Sequence, residues 1–230
     1  MEPLAGRARA ALTADPAAAS RRGWLWAEFV ALYVGAPLAI ALFLNPRWMF
    51  AALFGFTLVG IGLIWRTGEF DWRELLRGWG RVRWDRTAAF ALLVGGAGLG
   101  IMAATRPGFV PDLSPDRLRF LAVLWLAYPL LSALPQELIF HALFFHRYAP
   151  LLPDTRTALL VNAAVFALAH LMYWSVVVTA LTFAGGWIFA RSYRQRGFPA
   201  VWMLHAVAGN VLFTVGMGTY FWSGNVVRPF

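Results

Sequence analysis

The sequence predicts an all-α fold, a polytopic bundle of about seven to eight transmembrane helices. Three observations carry this. Hydrophobic residues make up 60% of the 230 positions and charged residues 13%, about half the charge of an ordinary soluble domain. Apolar stretches near 20 residues recur along the whole chain, the length at which a helix crosses the hydrocarbon core. Runs such as VALYVGAPLAIALFL do not alternate, as the strands of a closed barrel must. Helices then satisfy the backbone inside the bilayer.

The elements follow in order. Residues 1–23 are small and weakly basic and read as a cytoplasmic tail, because AALTADPAAAS is too polar for the apolar run of a signal peptide. Spans are expected at 24–44, 48–65, 87–104, 118–134, 157–173, 175–190 and 198–218, with an amphipathic segment at 135–148 and a tail at 219–230. The chain thus divides into the tail, N-terminal membrane helices over 24–117, a core over 118–218 and the C-terminal tail. Glu28 lies near the cytoplasmic start of the first span, where it can reach the interface or pair with Arg21 or Arg22. In the loop 66–86, WRELLRGWGRVRW interleaves Trp with Arg and reads as an interfacial strip, Trp at headgroup level and Arg against anionic lipid. Gly78 and Gly80 oppose one continuous helix there. The Gly96-x-x-x-Gly100 spacing in GGAGLG predicts a close helix contact, as do Gly185 and Gly186.

All 20 basic residues are Arg, and they sit in clusters between apolar segments rather than along one polar face, which fits membrane orientation and not nucleic acid. Fifteen fall in the N-terminal tail and the second, fourth and sixth loops; five fall on the other side. The chain reads as a multi-pass protein of the inner (plasma) membrane, and the positive-inside rule orients it there with its N-terminus cytoplasmic and its C-terminus external. The chain has no Cys, which excludes disulfides, thiolate metal ligands and a cysteine nucleophile.

An ionisable group at mid-bilayer costs at least about 2.5 to 3.5 kcal/mol, so the polar exceptions are informative. Glu137 and His141 share a helical face at i, i+4, after the helix-disturbing Pro129 and Pro135. Asn162, Phe166 and His170 repeat every fourth residue. His205 lies deep in the last span, with Asn210 about 140° around the helix. Three polar helices converging on a water-holding pocket would support hydrolysis without a covalent nucleophile. No Ser sits in a G-x-S-x-G context, and without Lys there is no Ser-Lys dyad. A zinc site is the chemical rival, with Glu137, His141, His170 and His205 as its ligands; HExxH is absent.

This pattern resembles the CPBP family of intramembrane glutamic endopeptidases, also called the Abi or CAAX-protease family. PQELIFHA aligns with that family's Glu-Glu-x-x-x-Arg motif, with Gln136 on the first Glu, Glu137 on the second and His141 on the Arg. FALAH matches Phe-x-x-x-His through Phe166 and His170. His205 approaches His-x-x-x-Asn, with Gly209 at the Asn position and Asn210 one residue later; this spacing and the run NVLFTVGMGTYF resemble a branch with Gln-Glu in the first motif. The resemblance implies a membrane-associated protein or peptide substrate, no cofactor, and water activated by the first Glu with the second-motif His. It also implies an oxyanion held by the last His and Asn. Gln136 cannot accept a proton, and His141 replaces a permanently charged partner. The expectation is that Glu137 acts as base, His170 shares or orients the proton, His205 and Asn210 face the oxyanion, Gln136 orients water or substrate, and His141 tunes Glu137. An inactive scaffold or immunity protein on the same frame is the alternative of another class, beside a transporter, which the crowding of polar residues into the second half disfavours.

Overall fold

The computed structural model describes residues 16–68 and 70–230, and these are helical with no strand among them; most of the expected N-terminal tail, with Arg7 and Arg9, lies outside the described residues. Seven main helices form the bundle: α1 Ala18–Phe43, α2 Pro46–Thr67, α3 Trp84–Thr105, α4 Pro115–Leu151, α5 Thr155–Tyr173, α6 Val176–Arg196 and α7 Phe198–Thr214. The first six are long and apolar enough to cross a membrane, and α7 is a shorter apolar helix of 17 residues.

Helix starts follow local chemistry. Asn45, Ser114, Asp154 and Ser175 each accept a backbone N–H of the first turn that follows, which satisfies a donor without an intrahelical partner. Pro46, Pro115 and Pro199 occupy first-turn positions, where a missing N–H is harmless. Between α2 and α3 the basic loop holds two short 3₁₀ turns, Trp72–Leu75 and Trp79–Arg81, separated by Gly78 at φ 103°. Trp72, Trp79 and Trp84 are exposed there.

The largest departure from expectation is α4. The expected fourth span and the amphipathic segment after it form one helix of 37 residues, about 55 Å at 1.5 Å per residue, against a hydrocarbon core of about 30 Å. Pro129 and Pro135 do not end it, because the helix widens into π turns over Pro129–Ala133 and Leu138–Tyr148, which absorb disturbed backbone pairing. Neighbouring helices supply donors to its carbonyls. Trp202 Nε1 donates to Pro129 O at 2.7 Å, and the Tyr33 hydroxyl to Ile139 O at 2.6 Å. Asn162 Nδ2 donates to Phe140 O. Asn210 Nδ2 donates at 3.2 Å to Trp125 O, the carbonyl four residues before Pro129 that proline, lacking an N–H, does not serve.

The first half of α4 packs on α7, its second half on α2 and α5, and α5 lies along α6. Phe29, Tyr33, Phe144 and Tyr148 form a buried ring cluster with edge-on contacts, such as Tyr33 to Tyr148 at 5.5 Å between centroids. Lipid tails are as apolar as these rings, so close packing rather than dehydration holds them together in a bilayer. The glycine expectation needs correction. Gly96 and Gly100 meet nothing close, whereas a Cβ at Gly98 would stand 2.8 Å from Val215 Cγ2 and one at Gly95 3.3 Å from Val211 Cγ1. The face toward α7 and its end therefore repeats every third residue. At α6 the close approach belongs to Gly186, whose Cβ would meet Phe166 at 3.0 Å and the Ala163 backbone at 3.2 Å. Glu28 also differs from expectation. Its partner is Arg147, which donates through Nε and Nη2 at 2.6 and 3.0 Å, while Tyr148 adds its hydroxyl. Arg147 also donates to Thr67 Oγ1 at 2.8 Å, tying the ends of α1, α2 and α4 together.

Candidate active site

The π-widened middle of α4 turns Glu137 and His141 inward, where both are fully buried. His205, from α7, places Nδ1 2.7 Å from Glu137 Oε1. His141 Nδ1 lies 2.6 Å from Oε2, a close contact outside hydrogen-bond angles. One carboxylate thus sits between two imidazoles, an arrangement that suits a charge withheld from water. The His205 ring stacks on Phe189 at 5.0 Å and meets Phe166 edge-on at 5.6 Å. Its Nε2 faces the Tyr128 hydroxyl at 3.2 Å.

His170 lies in the last turn of α5, where the helix tightens into a 3₁₀ turn. Its Nδ1 lies 2.8 Å from Phe166 O. A carbonyl only accepts, so Nδ1 carries the hydrogen and the neutral ring has its lone pair on Nε2. The Phe166 ring stands beside both histidines, 4.7 Å from His170 and 5.6 Å from His205.

His170, His205 and Gln136 line one cavity of about 400 Å³ with Tyr128 and Ser132; its walls are otherwise mostly apolar, among them Phe90, Leu93, Val123, Leu124 and Ile188. Gln136 Nε2 donates to Ser132 Oγ at 3.1 Å, which leaves Gln136 Oε1 buried without a partner. Tyr128, Ser132 and Gln136 recur at every fourth position of α4 and form a polar stripe on this wall. The i, i+4 spacing was present in the sequence, but Tyr128 and Ser132 read there as ordinary residues of an apolar helix.

The six expected site residues therefore fall into two groups. Gln136, His170 and His205 stand on the cavity. Glu137 and His141 lie behind His205, off the cavity lining, because the helix face that carries Gln136 to the cavity turns the next residue about 100° away. Asn210 also stands off the lining, with its amide engaged by Trp125 O. Among the described residues no three His, Asp or Glu side chains form a metal-holding group; His141 and His205 touch the Glu137 oxygens directly rather than converging with them on a shared centre.

Neither the curated proteins nor the solved structures yield a match to this chain. Residues 118–211 match the model of the Rce1-like family, described as type II CAAX prenyl endopeptidases. That stretch holds Tyr128, Gln136, Glu137, His141, His170 and His205, and over it this multi-pass helical protein is similar to the CPBP, or CAAX-protease-like, family.

Proposed function

We propose that the protein is an intramembrane endopeptidase that hydrolyses a peptide bond in a membrane-associated substrate. The observation that carries this reading is the convergence of His170, His205 and Gln136, from three helices, on one largely apolar cavity. Gln136 Oε1 and His170 Nε2 are both acceptors, so a water donating one hydrogen to each is fixed with its oxygen lone pair toward the scissile carbonyl. As the water oxygen bonds to the carbonyl carbon, its proton passes to His170 Nε2. The carbonyl oxygen becomes an oxyanion on the His205 side of the cavity. Collapse breaks the C–N bond, and His170 returns the proton to the departing nitrogen. Glu137 acts through His205, accepting its Nδ1 hydrogen and so fixing the tautomer whose Nε2 faces Tyr128, and its negative charge offsets that of the imidazolium formed at His170. It is a positioning residue, and the base role expected for it from sequence passes to His170. His141 supplies a second imidazole to the same carboxylate.

The apolar walls suit a substrate presented from the bilayer, such as a prenyl tail or an apolar peptide segment next to the cleaved bond. The test is cleavage of a prenylated CAAX-terminated peptide, carrying a fluorophore and a quencher, by protein in liposomes. Wild type cleaves and His170→Ala loses about 10² or more. One observation favours a second reading, a non-catalytic scaffold, because Gln136 stands where the resemblance puts a carboxylate. Silence of the wild type, relieved by Gln136→Glu, would establish that reading.

A further inference from the structure

Hydrolysis at this cavity leaves one requirement unmet by the residues expected from sequence, a neutral hydrogen-bond donor beside His205 where negative charge develops. Asn210 does not meet it, since its amide is committed to Trp125 O and its side chain is off the cavity lining. The space one helical turn after His205 is filled from another helix. A Cβ built on Gly209 would stand 2.2 Å from Tyr128 Cε1 and Cζ and 2.4 Å from the Tyr128 hydroxyl oxygen. Any side chain at 209 and the Tyr128 ring exclude each other, so the bare backbone of Gly209 is the seat of that ring. The seat brings the hydroxyl onto the cavity wall, 3.2 Å from His205 Nε2.

We infer that Tyr128 is a catalytic residue, the oxyanion donor of this site, occupying from α4 the place that a side chain on α7 would take at position 209. The inference rests on the endopeptidase reading above. In the resting site, Tyr128 donates its hydroxyl hydrogen to His205 Nε2, whose Nδ1–H donates to Glu137. As negative charge develops on the carbonyl oxygen of the substrate, the phenol hydrogen turns from His205 Nε2 to that oxygen, while His205 stays neutral and the proton taken from water stays on His170. No covalent bond to Tyr128 forms or breaks. The chain from Glu137 through His205 to Tyr128 thus couples a buried negative charge to a donor aimed at the reacting oxygen, where preorganised donors stabilise most. Phe189 and Phe166 hold the imidazole plane that aligns the two hydrogen bonds.

Tyr128→Phe is the decisive variant, because it keeps the ring on Gly209 and removes the hydroxyl alone. In liposomes with the quenched prenylated CAAX peptide, it should lower kcat about 10² and leave KM within about threefold, with thermal unfolding in detergent unchanged. A second readout uses a phosphonate analogue of the same peptide, whose tetrahedral anion mimics the intermediate. Tyr128→Phe should weaken phosphonate binding at least about tenfold and leave binding of the uncleaved parent peptide unaltered. Wild-type cleavage with an unimpaired Tyr128→Phe variant would overturn the role of Tyr128 and leave proteolysis standing. A wild type that cleaves nothing but prefers the phosphonate, with the preference lost in Tyr128→Phe, would support the donor without turnover. A wild type that neither cleaves nor prefers the phosphonate would overturn both.

Discussion

Glu137→Gln removes a charge from the centre of the bundle with almost no change in shape. The carboxylate is fully buried and its oxygens lie 2.7 Å from His205 Nδ1 and 2.6 Å from His141 Nδ1, so the variant opens no cavity. The amide oxygen can still accept from one imidazole, but it cannot balance an imidazolium. Hydrogen bonds to charged groups contribute about 1.5 to 3 kcal/mol against about 0.5 to 1.5 for neutral ones. In Ser-His-Asp enzymes, neutralising the carboxylate that orients the histidine lowers kcat about 10⁴, about 5 kcal/mol at 1.36 kcal/mol per decade. The second imidazole at this carboxylate and a base on a different histidine place the expected loss here between about 10² and 10⁴ in kcat. KM should stay within about threefold, since Glu137 does not line the cavity. The assay is the initial rate of prenylated-peptide cleavage in liposomes over a substrate series, with thermal unfolding as the control for folding. A Glu137→Gln enzyme with kcat within threefold of wild type would refute the argument that this carboxylate works through His205.

Arg147→Leu should destabilise the protein by about 2 to 3 kcal/mol in detergent-mixture unfolding, just below the about 3 to 5 kcal/mol for stranding one partner of a fully buried pair, because Arg147 and Glu28 keep 14% and 17% exposure; Glu28→Gln added to it should recover at least half. Asp154, the N-cap of α5, has its carboxyl held below the usual range by the Thr157 backbone N–H. Its folded pKa lies below the unfolded one, so its stabilisation is present at neutral pH and is lost as pH falls through the folded value. The gap in Tm between wild type and Asp154→Ala should therefore close on acidification, and a gap constant with pH would contradict the cap. Reporter fusions at Gly68 and Gly224 should report opposite sides of the membrane, with Gly68 cytoplasmic. Elemental analysis of mildly purified protein should find well under one zinc per chain; stoichiometric zinc lost on replacing His141 or His170 would turn the site reading toward a metal centre.

Much of the bundle was legible because the physics is one-dimensional. A span announces itself by length and composition, and six long apolar helices answer to the expected segments. What failed depended on partners distant in sequence. Pro129 and Pro135 read as points where the helix kinks or its pairing opens, but not as the join of a span to the segment after it, where Trp202, Tyr33, Asn162 and Asn210 supply the carbonyls from three other helices. Glu28 found Arg147, 119 residues away, rather than its neighbours. At the site, the polar exceptions marked the right helices, and the neutral tautomer of His170 follows from a local contact four residues back. The contact between Glu137 and His205 spans 68 residues, and no local spacing sets which of Gln136 and Glu137 meets the cavity. Tyr128 was hidden for another reason. An aromatic residue in an apolar helix carries no polar signal, and only the bare Gly209 hinted that something else fills that place.

The side-chain donors that serve α4 have a consequence for biogenesis. Two of the four, Trp202 and Asn210, belong to α7, the last of the main helices to leave the ribosome. Until α7 inserts, the carbonyls of Trp125 and Pro129 lack these donors in a setting without water, and the Tyr128 ring lacks its seat on Gly209. His205 arrives on the same helix. Assembly order thus keeps the proposed hydrolytic centre unformed through synthesis of the first six helices, so on the endopeptidase reading a nascent or truncated chain does not cut its neighbours in the membrane.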